Sequence, residues 1–275
     1  MLKIKLALLY YAAKIAFCSC SPEKSRGLEN IRKESTITKI ATLPNNVNES
    51  SGLAIFDSNS FWTHNDSGGA NRLYKINQKG QLLDSITIEG YKNIDWEDLA
   101  KDDSDNLYIG DFGNNLNLRK DLVILKVGNK HVEEIKLSYN DQNSFPPIKR
   151  EFDCEAFFHF NRKLHLFTKS WEKDSLVTKH YELSDLPGSY DLMPLNVLAV
   201  NEPVTSADIS PDKKSFVLLT YGKILLFGIK NEQIDFNSPI ACLKTRRKQT
   251  EAIAFAGNNK LLLTNEQGEL YEINL

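Results

Sequence analysis

The chain has 275 residues, 41% of them hydrophobic and 25% charged, with a formal net charge of −2. That composition excludes a disordered tail, a collagen-like chain and a small disulfide-stapled scaffold, and the near-balanced charge excludes a nucleic-acid binder driven by a basic field. The length suffices for one large repeat domain or two ordinary ones.

Lys3 and Lys5 precede the apolar run Leu6 to Ala13, and after Lys14 the run resumes from Ile15 to Phe17. A basic start, a short apolar stretch and small residues before a cut describe a secretory signal, here residues 1–19. The run is shorter than the ~20 residues a membrane span needs; the competing reading is an ordinary buried helix. The segment ends Phe17-Cys18-Ser19-Cys20-Ser21, which resembles a bacterial lipoprotein box with Ser19 before the acceptor. The resemblance implies lipidation at Cys20 and a membrane as partner. It implies export to the bacterial cell envelope, with an outer-membrane lipoprotein or a place in the periplasm as the expectation and the leaflet left open. Residues 20–34 are polar and are expected to be the lipidated cysteine and its tether. Cys154 and Cys242 sit in separate apolar contexts and are expected to be buried free thiols rather than a disulfide.

From residue 35 onward, short apolar runs alternate with Gly, Asn, Asp and Ser punctuation, which predicts an all-β fold. One unit recurs five times. Its first strand begins at Ser51, Glu97, Glu155, Ala207 and Glu251. Second strands follow at Phe61–Asn65, Leu107–Asp111, Leu164–Thr168, Phe216–Thr220 and Leu261–Asn265. Third strands follow at Arg72–Ile76, Leu122–Val127, Thr178–Leu183, Lys223–Ile229 and Glu269–Leu275. The first four units carry a fourth strand, at Leu82–Ile88, Val132–Tyr139, Leu195–Val200 and Ser238–Leu243. The fifth has none before the chain ends, while Ser35–Leu43 is an unassigned strand at the other terminus. Supplying that strand to the last unit closes a ring of four-stranded blades, a β-propeller spanning residues 35–275. Five blades are expected. Six would need a degenerate unit within 128–150 or 184–204, and a β-sandwich would leave the repeat and the orphan strand unexplained.

In such a ring, the starts of the first strands and the ends of the second strands share one face. Aligned, the first strands give one column of Ser51, Glu97, Glu155, Ala207 and Glu251, and a second of Gly52, Asp98, Ala156, Asp208 and Ala252. Carboxylates gathered about an axis raise one another's pKa, pair with bases or hold a cation; a hard cation such as Ca²⁺ takes 6 to 8 oxygens. Glu97, Asp98, Asp111, Glu155 and Glu251 are the candidate metal ligands. The competing role for ring acids is to cap backbone N–H groups where blades meet. Loops 62–70 and 110–115 add His64, Asn65, Asp66 and Asn114, and Arg72, Arg119, Lys169 and Glu266 lie on the same face. These seven apart from His64 are candidate ligand-binding residues; Glu97, Glu155 and His64 are candidate catalytic groups. Arg150 and the run Arg246-Arg247-Lys248 add positive charge suited to a small anionic ligand. Trp62, Trp96, Phe112, Trp171 and Tyr221 flank the rim. Asp102-Asp103-Ser104-Asp105-Asn106 lacks the glycine and closing Glu of an EF-hand and reads as a solvated turn on the opposite face.

The segments Ser51-Gly52-Leu53-Ala54, His64-Asn65-Asp66-Ser67-Gly68, Asp95-Trp96-Glu97-Asp98-Leu99-Ala100, Leu107 to Asn115 and Thr250-Glu251-Ala252-Ile253-Ala254 resemble bacterial secreted propellers. They are similar to the SdiA-regulated and phytase-like (esterase-like) families, over about residues 40 to 275. The resemblance implies a propeller with carboxylate-bound calcium over its channel. The expected function is binding of a small ligand or cation at the loop-rich face of a monomeric propeller. The alternatives are a metal-dependent hydrolase of phosphoesters or esters, and a protein-interaction scaffold.

Overall fold

The structure, a computed structural model, describes residues 18–31, 37–128, 131–172, 176–245 and 249–275. The expected signal segment through residue 17 and the basic run Arg246-Arg247-Lys248 lie outside the described residues.

Five antiparallel blades surround an axis. Blade I is β3 (Ser50–Asp57), β4 (Ser60–Asn65), β5 (Arg72–Asn77) and β6 (Leu82–Thr87). Blade II is β7 (Trp96–Lys101), β8 (Leu107–Asp111), β9 (Val123–Val127) and β10 (Val132–Tyr139). Blade III is β11 (Asp153–Phe160), β12 (Lys163–Lys169), β13 (Val177–Ser184) and β15 (Asn196–Ala199). Blade IV is β16 (Val204–Ile209), β17 (Ser215–Thr220), β18 (Lys223–Lys230) and β19 (Gln233–Lys244). Blade V is β20 (Thr250–Gly257), β21 (Lys260–Asn265) and β22 (Glu269–Asn274), completed by β2 (Ile37–Thr42) from the other end of the chain. The first strands β3, β7, β11, β16 and β20 contact one another in sequence, and β20 meets β3 to close the ring.

Packing explains the strand patterns. An inner strand is covered on both sides by neighbouring blades, so β7 reads as nearly continuous burial, whereas the outer strand β6 is mostly exposed. Each junction between consecutive blades holds its own apolar cluster. Leu99 and Trp62 lie in the I–II cluster, Phe112 and Phe157 in II–III, Phe158 and Phe216 in III–IV, Leu219 and Leu261 in IV–V, and Leu270 and Leu53 in V–I. Hairpins are closed by Asn161-Arg162 and Asn231-Glu232, whose φ values are all positive, as a right-twisted two-residue turn requires.

Two further strands join blade edges in parallel. β14 (Gly188–Leu192) lies between β13 and β15 in the chain but pairs with β10 of the preceding blade. Segment 184–204 is thereby consumed by blades II and III, which removes the sixth blade. β1 (Glu29–Ile31) pairs with β19.

The N-terminal residues correct three expectations. Segment 20–34 was expected to be a tether, but residues 18–31 lie against blade IV. The single helical turn α1 (Ser21–Lys24) buries Glu23. Glu23 Oε1 is 2.5 Å from Lys223 Nζ, which also lies 2.5 Å from Glu202 Oε2. Cys20 forms a disulfide with Cys242. One sulfur cannot hold both a disulfide and a lipid thioether, so the disulfide stands in place of the expected lipidation at Cys20. It also overturns the expectation of a free Cys242, whereas Cys154 is a buried free thiol as expected. Among the described residues, no helix is long and apolar enough to cross a membrane.

Candidate functional site

The first strand of every blade is interrupted near its start by a register shift. The shifts fall between Ser50 and Gly52, Trp96 and Leu99, Cys154 and Ala156, Val204 and Ser206, and Thr250 and Ala252. A bulged residue leaves the ladder and is aimed differently from its neighbours. The bulged positions are Ser51, Glu97 with Asp98, Glu155, Thr205 and Glu251. The aligned column is thus correct for four blades and two residues late in blade IV, where Thr205 replaces Ala207.

Glu97 is the centre of the site. One ligand oxygen each from Asp66, Asp95 and Glu97 lie within 4.8 Å of one another, and the same holds for Glu97, Asp153 and Glu155. Glu97 is 6% exposed, and no hydrogen bond or ion pair reaches its carboxyl among the described residues. Burial, then the carboxylates of Glu155, Asp66, Asp153 and Asp95, push its pKa well above the usual range. The same causes act on its neighbours. Burial and Asp153 raise Asp95 to about 6; burial raises Asp153, and it raises Glu155 well above normal despite a nearby cation. The structure leaves room for no side chain at Gly113, where a Cβ would collide with Glu97 Oε1 and the Asp95 carboxyl.

That nearby cation is Lys169, whose Nζ lies 2.8 Å from Glu155 Oε1 with both side chains 5% exposed. Its ammonium lies 4.9 Å from the Trp171 ring and 5.4 Å from that of Tyr221. Burial opposes its charge, but Glu155 and other acids outweigh burial and raise its pKa. Trp171 Nε1 donates to Asp153 Oδ2 at 2.6 Å, and the Asn114 N–H donates to Asp153 Oδ1 at 2.5 Å. Among the described residues, Asp66, Asp95, Glu97, Asp153 and Glu155 thus gather beside the buried base Lys169.

Other predicted residues frame this centre. Asn93 Nδ2 donates to the carbonyls of Asn65 and Asp66, and Asn65 Nδ2 donates to the Asn46 carbonyl, fixing the loop that presents Asp66. Asn114 Oδ1 accepts from the N–H groups of Leu118 and Arg119 and shapes the next loop. Arg119 pairs with Asp111 at 2.9 Å and donates to the Gly113 carbonyl at 3.0 Å, holding Gly113 beneath Glu97. Glu251 lies on the Tyr221 side, accepting from its hydroxyl at 3.2 Å. Burial, with Glu266 adding to it and Lys169 opposing, raises Glu251 to about 8. Glu266 accepts from Gln249 Nε2 at 2.6 Å.

Three assignments are corrected. Asp98 is not a metal ligand. Its oxygens accept from the N–H groups of Leu99, Phe157 and Ala207 and from the Ser206 hydroxyl, at 2.9–3.3 Å, so it staples blades II, III and IV. His64 is not a base at the site. It is fully buried between Gly52 and Trp96, its Nδ1 lies 3.0 Å from the Asn65 carbonyl oxygen, and burial lowers its pKa, keeping it neutral. Asp111 is committed to Arg119 and stands outside both carboxylate triads. Arg72 is exposed at the head of β5, apart from the cluster.

Asp95 and Asp153 were missed as site residues. Their signal was in the sequence: Asp95-Trp96-Glu97 and Asp153-Cys154-Glu155 repeat an Asp-X-Glu pattern in adjacent blades.

No family model matches the chain, and no curated protein matches it in sequence. Among solved structures, the PQQ-bound aldose sugar dehydrogenase of Streptomyces coelicolor aligns with a TM-score of 0.51 at 10% identity, covering 86% of this chain and 97% of that one. A gluconolactonase of Xanthomonas campestris aligns with a TM-score of 0.50 at 11% identity, covering 87% of this chain and 89% of that one. At such identities the likeness is one of fold.

Proposed function

We propose that the loop-rich mouth of the channel binds a divalent cation, calcium by preference, and through it a small anionic ligand. The observation that carries this reading is the buried Glu97 carboxyl, without a counter-charge among the described residues and shared by two carboxylate triads. An acid in this setting stays protonated or holds a cation. The donors are all carboxylate oxygens, the chemistry of a hard cation rather than of zinc or copper. Asp66, Asp95, Glu97, Asp153 and Glu155 would hold it, and Lys169 beside Trp171 and Tyr221 would face the anionic group of a ligand.

The second reading is a metal-dependent hydrolase of phosphoesters or esters, a role in which a bound cation polarises the scissile group. It is favoured by the upward pKa shifts of Asp95, Glu97 and Glu155 where they crowd together, the kind of perturbation that groups used in acid–base chemistry show. Glu97 or Glu155 would serve as the proton-transfer group. The disulfide supports export, because such bonds persist in oxidising compartments.

Calorimetric titration with calcium chloride tests the first reading; heat saturating at a defined stoichiometry is expected from the wild type and none from Glu97→Gln. Turnover of a phosphoester and lactone panel with calcium, magnesium or manganese decides the second. Calcium binding without turnover leaves a binding protein. Absence of binding to any divalent ion rejects the cation site and favours a protein-interaction scaffold.

A further inference from the structure

The opposite end of the axis has a cavity of its own, of about 440 Å³. All five blades contribute to it, through Phe56 of blade I, Asp103 of II, His159 of III, Asp208 and Lys213 of IV and Phe255 of V. Its size lies within the ~300–1,000 Å³ range of small-molecule pockets.

Most charged groups lining this cavity are ion-paired, saturated by hydrogen bonds or open to solvent. Lys101 pairs with Asp105 at 2.7 Å, His159 with Asp185 at 3.1 Å, and Lys213 with Asp103. Asp102 is saturated by the N–H groups of Ser104 and Asn106, the Asn106 amide and the Tyr108 hydroxyl. Asp57 is exposed and accepts from the Asn59 N–H at 2.8 Å. Asp208 remains. Its Oδ2 accepts from the Phe255 N–H of the next blade at 2.7 Å, which fixes its orientation, and no base pairs with it among the described residues. Burial pushes its pKa up to about 7, as befits a carboxyl without a counter-charge. Ile55, Ile209 and Pro211 supply an apolar wall beside it.

Blades II and IV are not neighbours, so the Lys213–Asp103 pair links two separated blades at the rim of the cavity. Both side chains are well exposed, 41% and 79%, and an ion pair so placed opens easily.

We propose that this second cavity is a binding site for a small organic cation, an amine with a compact apolar body, anchored by Asp208 and entered past the Lys213–Asp103 pair. The site is separate from the carboxylate cluster and does not depend on the function proposed for it.

The test uses benzylamine, benzyl alcohol and benzoate as isosteric probes, with amide-detected NMR on the intact protein. Benzylamine is expected to saturate and to move the Phe255 N–H resonance, while the alcohol and the acid bind at least tenfold more weakly. Asp208→Asn keeps an acceptor for the Phe255 N–H but loses the charge, and is expected to weaken benzylamine binding at least tenfold. Lys213→Ala removes the competing cation at the mouth and is expected to bind benzylamine at least as tightly as wild type. Equal binding of the three probes, unchanged affinity in Asp208→Asn, or lost affinity in Lys213→Ala overturns the proposal.

Discussion

Replacing Glu97 by Gln separates the carboxyl's charge from its shape. At an effective dielectric constant of about 20, two unit charges 4.8 Å apart repel by about 3 kcal/mol. Glu97 meets that repulsion from Asp66, Asp95, Asp153 and Glu155 in turn, so without a cation it holds its proton. Gln has nearly the size and polarity of a protonated Glu. Glu97→Gln should therefore leave the stability of the cation-free protein within about 1 kcal/mol of wild type. The variants differ once calcium is added. A ligand at 100 times its Kd stabilises the folded state by about 2.7 kcal/mol. For a domain of this size that is a rise in Tm of about 5–10 °C. Differential scanning calorimetry at pH 7.5, with calcium chloride or with EDTA, reads both effects. Wild type should show the rise and Glu97→Gln should not. An equal rise in both proteins would refute the assignment of Glu97, and a Glu97→Gln protein several kcal/mol less stable in EDTA would refute its protonated state.

Further outcomes follow from the same geometry. Asp98→Ala strands the Phe157 and Ala207 N–H groups at the centre of the ring and should cost about 3–5 kcal/mol in urea denaturation, against little change in calcium affinity per folded molecule. Carboxyls whose pKa is raised in the folded state bind more protons there than when unfolded. Stability in EDTA should accordingly fall as the pH rises from about 4 through 6, where Asp95 titrates, to 8, where Glu251 does. Asp95 alone accounts for about 2 kcal/mol after allowance for its partial exposure. Calcium should flatten this slope, and a Tm that climbs with pH in EDTA would contradict it. Gly113→Ala should lose the calcium-dependent rise in Tm, because the added methyl enters the space of Glu97 and Asp95. Alkylation under denaturing conditions should leave Cys20 and Cys242 unmodified until a reductant is added, whereas mass spectrometry showing a diacylglyceryl group on Cys20 would reject the disulfide.

The strands, their grouping into five blades and the closure by the N-terminal strand were legible in the sequence. Apolar runs of strand length and Gly/Asn turns are local features, and a ring with one incomplete unit needs the orphan strand. Glu97, Glu155 and Glu251 were found for the same reason, since the repeat places them at equivalent points of the first strands. The sequence could not separate Glu97 from Asp98. They are adjacent, and only the register shift between Trp96 and Leu99 sends one carboxyl to the mouth and the other into the junction of three blades. Asp66 and Asp153 join Glu97 from loops and strands of other blades, a convergence that exists only once the ring has closed. The pairing of Cys20 with Cys242, 222 residues apart, likewise depends on β1 lying along β19. Local pattern thus determined the elements and their order. Which acids lose their partners, and which sulfur meets which, was decided by distances that only the assembled blades create.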